Sequence, residues 1–110
     1  MKTSLAGFLQ HLAVERGLSA STISAYGRDL QQFAAHLGRR AGRLDQLTAA
    51  HVHAFAAALA EAGQADSSIA RKVSAIRSFS RWLVAEGVLA EDFAEQVEAR
   101  RAARRLPRAL

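Results

Sequence analysis

Apolar side chains recur every three or four residues along most of the chain, the period of helices that bury one face. Leu5, Phe8, Leu9 and Leu12 predict a first helix over about Thr3 to Arg16, stopped at Gly17. Ser19 is a natural N-cap for a second helix that runs to about Leu37. Its inward arc is Ile23, Tyr26, Leu30, Phe33 and Leu37, and its other side shows Ser24, Arg28, Gln31 and Gln32. Gly38 to Gly42 reads as a turn. A third helix opens at Thr48 and ends before Gly63, with Val52, Phe55 and Leu59 as a thin stripe on an Ala-rich rod. A fourth covers Ser67 to Glu86, capped by Asp66 or Ser67 and ended by Gly87. A short fifth, about Glu91 to Arg100, turns Phe93 and Val97 inward. No strand pattern is readable. The expectation is an all-α, compact bundle of four to five helices in one domain over residues 1–98, followed by a basic linker at 99–110.

The fourth helix carries two stripes. Ile69, Val73, Ile76, Ser80 and Leu83 share one side, and Arg71, Ser74, Arg77, Ser78 and Arg81 share another. The first anchors a helix in a bundle. The second, Arg alternating with small hydroxyls, suits a helix entering a narrow charged groove. The major groove of DNA admits one α-helix, and Arg is the commonest reader of guanine edges there. A solvated face is the other reading of the same stripe.

Charge adds to this. The net charge is +5, and 13 of the 15 basic residues are Arg, which favours bidentate partners such as phosphate and guanine. A GC-rich genome also enriches Arg and Ala, so composition counts for less than placement. Residues 99–110 hold five Arg and no acid, and the Ser67–Glu86 helix holds three Arg and one Lys against one Glu. Basic blocks of this kind point to a polyanionic partner. The chain has no Cys, which excludes disulfides, thiolate catalysis and zinc–thiolate sites and is compatible with a reducing cytosol. No apolar run approaches the roughly 18 residues of a membrane span. A cytoplasmic location is expected, with no membrane partner and no small-molecule substrate.

The run ERGLSASTISAYGRDLQQF, Glu15 to Phe33, places Leu18, Ser19, Thr22, Tyr26, Asp29, Leu30 and Phe33 in a spacing that resembles the N-terminal core-binding, SAM-like domain of tyrosine recombinases of the Xer and phage-integrase type. The block SSIARKVSAIRSFSRWLVAEG, from Ser67 to Gly87, is similar to that family's fourth helix, and RRLPRAL at the end resembles its basic linker towards a catalytic domain. The three stand in the family's order. Three positions depart from its pattern: Gly27 replaces a common Arg, Phe93 a Pro, and Ser80 an aromatic residue.

The resemblance implies a DNA-binding domain that clamps a recombination half-site together with a separate catalytic domain. Helices 2 and 4 would face the major groove, while helices 1 and 5 would meet other recombinase protomers in a synaptic complex. By position, Thr22 would contact a phosphate, with Ser24 and Arg28 towards the groove. Ser68 would touch phosphate, Arg71 would reach bases, and Lys72, Ser74 and Arg77 would add groove or backbone contacts. The helical-face reading independently selects Ser24, Arg28, Arg71, Ser74 and Arg77.

Catalysis is not expected of the chain itself, because the family's nucleophilic Tyr, with its Arg, Lys and His helpers, belongs to the downstream domain. Tyr26 sits on the core arc and is expected to be a packing residue. No Ser or Thr has a His–carboxylate pair nearby in the sequence. His51 and His53 are two apart and diverge on a helix, while His11 and His36 are isolated, so neither a metal nor a cofactor is expected. Asp29 is expected to bond a neighbouring loop or an Arg, and Trp82 to pack beneath the fifth helix or to form part of a protomer contact. Two other functions fit the same pattern: a helical protein–protein interaction module with a basic face, and a helical cap of an unrelated enzyme.

Overall fold

Four α-helices form where the apolar period predicts them in a computed structural model that describes residues 1–97. They are α1 (Lys2–Val14), α2 (Ala20–Leu37), α3 (Ala49–Glu61) and α4 (Asp66–Ala85). The turn expected after α2 is tighter than a loop: Gly38–Gly42 and Leu44–Gln46 are 3-10 segments. No strand occurs among the described residues.

Local chemistry explains the ends. The Ser19 side chain accepts the Thr22 N–H at 3.3 Å and so caps α2. Gly17 and Gly87 adopt φ of 60° and 76°, left-handed backbone that lets the chain leave α1 and α4 without a Cβ clash. One expectation fails. The N-cap of α4 is Ala65, whose side chain caps nothing, so neither Asp66 nor Ser67 has that role. Both lie in the first turn, where the Asp66 carboxylate complements the helix dipole instead.

The core lies around α4, which packs against α1, α2 and α3. A helix with neighbours on three sides buries more than one stripe. Val73, Ile76, Ser80 and Leu83 are buried as expected, but Lys72, Ala75 and Phe79 are buried with them. Phe8 of α1 sits at the aromatic centre, with its ring centroid 5.3 Å from Phe79, 5.8 Å from Trp82 and 6.1 Å from Tyr26. Trp82 therefore packs on α1, and most of the fifth helix expected above it lies outside the described residues. Gly7 makes room for it: a Cβ there would come within 3.0 Å of the indole ring.

Ser80, where the family pattern has an aromatic, is 1% exposed and replaces packing with polar bonds. Its hydroxyl lies 2.8 Å from the Arg77 carbonyl and 3.3 Å from Asp92 Oδ1. The same Asp92 oxygen accepts the Ala94 N–H at 2.9 Å, which starts a helical turn at 94–97 despite the missing Pro. Phe93 and Val97 face inward, as expected, at 5% and 1% exposure. The rest of the expected fifth helix and the basic run 99–110 lie outside the described residues. No helix among the described residues is long and apolar enough to cross a membrane.

The entry to α3 titrates. His51 Nδ1 accepts the Thr48 N–H at 3.1 Å, which requires a neutral ring. Its pKa is lowered from the ordinary 6.5, first by burial and then by repulsion from Arg40 and His36. A histidine whose folded pKa is depressed releases its proton on folding, so its contribution is complete above the unfolded value and lost as pH falls through the folded one. Acidification from about pH 7 to about pH 5 is expected to lower the melting temperature more for the wild type than for His51→Gln, which keeps an acceptor that does not titrate. The difference should correspond to about 1 kcal/mol or less, the usual effect of one helix cap. Identical pH profiles by circular dichroism would contradict it.

Candidate functional site

The N-terminal halves of α2 and α4 run side by side and leave a groove between them. Ser21, Thr22 and Tyr26 line one wall, Arg71 and Ser74 the other, and Asp29 lies between them. Asp29 stands three residues after Tyr26 and four before Phe33, so helical geometry turns it inward with them. A carboxylate taken out of water needs charged partners, and α4 supplies two. Arg71 donates from Nε to Oδ2 and from Nη2 to Oδ1, both at 3.1 Å, and Lys72 Nζ lies 3.1 Å from Oδ1. The expectation that Asp29 bonds an Arg therefore agrees with this geometry.

The two cations are not equivalent. The Lys72 side chain is 10% exposed and its ammonium turns into the protein, whereas the Arg71 side chain is 59% exposed at the groove mouth. Two positive groups face one negative group, so the cluster carries one net positive charge. Its three close bonds offset the desolvation of the buried carboxylate.

Thr22, Arg71 and Ser74 thus meet in one groove. Thr22 Oγ1 accepts the Ser19 hydroxyl at 2.9 Å, which leaves its own hydroxyl hydrogen to donate outward. Ser24 and Arg28 are exposed on α2 and do not line the groove, but stand one turn from Ser21 and Ala25, which do. Ser68, in the first turn of α4, and Arg77, midway along it, are half-buried. Lys72, expected among the surface residues, faces Asp29 instead.

Sequence reasoning left Asp29 and Tyr26 out of the site. The signal was present: a lone carboxylate on a core arc implies a buried cation on a neighbouring helix. A second basic hollow was also missed. It lies between the end of α1 and the C-terminal half of α4 and is lined by His11, Arg16, Ser78 and Arg81 over Phe8 and Trp82. Periodicity within one helix does not reveal it, because its cations come from two elements. Among the described residues, no group of three His, Asp or Glu side chains is placed to hold a metal ion.

The comparisons with known proteins agree with this architecture. The chain is similar to the tyrosine recombinase XerC of Roseiflexus castenholzii, with 42% identity over all of the chain and 35% of that protein. It is 40% identical to XerC of Mycobacterium leprae over 94% of the chain and 35% of the relative. It is likewise 40% identical to the tyrosine recombinase XerD of Halalkalibacterium halodurans, over all of the chain and 38% of the relative. The chain thus spans little more than a third of the length of these relatives. No solved structure gives a significant match. The family model described as the phage integrase N-terminal SAM-like domain matches residues 5–87, which include α1 from Leu5 onward, the rest of the four-helix bundle and every residue of the groove, so the chain belongs to that family.

Proposed function

We propose that this domain binds double-stranded DNA for a site-specific tyrosine recombinase and clamps one half-site through α2 and α4. The observation that carries this reading is the adjacency of the two helices' polar sides. Arg71 and Ser74 on α4 face the hydroxyls of Ser21 and Thr22 across one groove. An α-helix fits the major groove, and hydroxyls beside helix N-termini suit the flanking phosphates.

In this reading Thr22 and Ser68 donate to phosphate, while Ser24 and Arg28 reach DNA from beside the groove on α2. Arg71, Ser74 and Arg77 work along α4. Lys72 supports the surface from beneath by holding Asp29. The α4 N-terminus, with no side-chain cap, keeps its first N–H groups for an anion. The domain ends near residue 98, and 99–110 is the basic linker to a catalytic domain that does the strand exchange. The domain itself positions DNA and performs no chemistry, and other protomers would meet it across α1 and the fifth helix.

Nuclear magnetic resonance on the 15N-labelled chain tests this. Adding mixed-sequence duplex at low salt is expected to shift amides of Thr22, Ser24, Arg28, Ser68, Arg71, Ser74 and Arg77 most. Shifts confined to α1 and α3, or shifts produced only by an acidic peptide, would contradict it.

A further inference from the structure

We infer that Asp29 is a positioning residue that aims Arg71 at a guanine, so that a buried carboxylate on α2 sets a base preference expressed from α4. The inference rests on the DNA-binding reading above and adds to it which base is read and what orients the reader.

The geometry of the pair carries it. A guanidinium has five N–H donors in a rigid plane. Asp29 takes two of them, on the Nε–Nη2 side, at 3.1 Å each. The end of the fork, one N–H from each terminal nitrogen, is left unspent. That pair of donors matches O6 and N7 of guanine in the major groove. A free Arg side chain would lose rotamer freedom on reaching a base. Here the carboxylate has already set the plane, with Asp29 itself 3% exposed and held by Lys72 as well.

Lys72 completes the device. Without it, Asp29 would neutralise Arg71 and cancel its attraction to a polyanion. With Lys72 Nζ 3.1 Å from the same carboxylate, the cluster keeps one net positive charge at the groove. The arrangement separates two properties that a lone arginine combines: Lys72 keeps the cluster cationic, and Asp29 supplies direction. Ser74, one helical turn further along α4 and lining the same groove, is too short to replace Arg71 at a base edge.

Selection from a randomised duplex pool at low salt tests the inference, using the wild-type chain, Lys72→Met, Arg71→Lys and the double variant Asp29→Asn with Lys72→Met. The double variant removes the buried charges together, so that neither is left unpaired, and its melting is followed by circular dichroism. The wild type is expected to enrich a guanine at one position, and Lys72→Met to bind all duplexes more weakly while keeping that relative preference. In Arg71→Lys and in the folded double variant, preference at that position should fall on the order of tenfold while neighbouring positions keep theirs. The Arg71 Nε–H resonance should exchange slowly in the wild type and fast in the double variant.

Equal guanine preference in the double variant would overturn the inference and leave the DNA-binding reading standing. Uniform loss at every position would also overturn it, because a purely structural role predicts that pattern. If the wild type binds no duplex and enriches nothing, the DNA-binding reading itself fails and the guanine assignment fails with it.

Discussion

Asp29→Ala is expected to destabilise the domain by about 3–5 kcal/mol, the usual cost of leaving a buried charge without its partner. The charge left behind is Lys72, whose side chain is 10% exposed and whose ammonium faces the missing carboxylate. Arg71 contributes little to that figure, because at 59% exposure it can turn into water. Small domains are stable by roughly 5–15 kcal/mol, so the variant should be partly unfolded at mild temperatures. The sign of the second substitution makes the prediction specific. Lys72→Met in the Asp29→Ala background should recover most of the loss, because removing both charges leaves no unpaired ion in the interior. Urea unfolding followed by circular dichroism measures both variants. Additive losses in the double variant would show that Lys72 and Asp29 are not coupled.

Much of the fold was legible because its signals are local. Ser19 and Thr48 begin helices, and Gly17 and Gly87 end them, for reasons contained in a few neighbouring residues. What was not legible depends on who the neighbours are. Phe79 is fully buried yet lies off the stripe of Ile69, Val73, Ile76, Ser80 and Leu83, because α4 has partners on three sides. Trp82 faces α1 for the same reason, since a glycine at position 7 of another helix makes its seat. The start of α4 shifted because Asp66 and Ser67 both look like caps, whereas the N-cap is Ala65, one residue before the first and two before the second.

The site divides in the same way. Arg71 and Ser74 could be placed on a polar face by helical spacing alone, and the structure puts them in one groove. Lys72 could not be placed, because a Lys beside an Arg reads as solvated until a buried acid on another helix is seen opposite it. Family resemblance selected it as a surface contact, and its position against Asp29 explains why that position is basic without its reaching the surface. Ser24 and Arg28 do not line the groove, but Ser24 follows Ser21 by three residues and Arg28 follows Ala25 by three, so both stand beside its α2 wall, where a duplex that meets Arg71 can also meet them.

The second large effect concerns DNA affinity. If α2 and α4 grip phosphates, each Lys or Arg contact releases condensed counterions, so binding must weaken steeply with salt. Arg28 and Arg77 lie on different helices, and the reading assigns each a backbone or groove contact. Losing both should lower the steepness of the log affinity against log salt plot by about two, one per phosphate contact, whatever the duplex sequence. At low ionic strength, where that release is largest, the double variant should bind at least tenfold more weakly.

The measurement that tests the central claim most directly is therefore fluorescence-anisotropy binding of duplex DNA across a salt series, for the wild type and for Arg28→Ala with Arg77→Ala. The account predicts binding that falls steeply with salt in the wild type and a shallower, weaker curve in the variant. No binding at low salt, or two curves of equal slope, would contradict a DNA-gripping surface on α2 and α4.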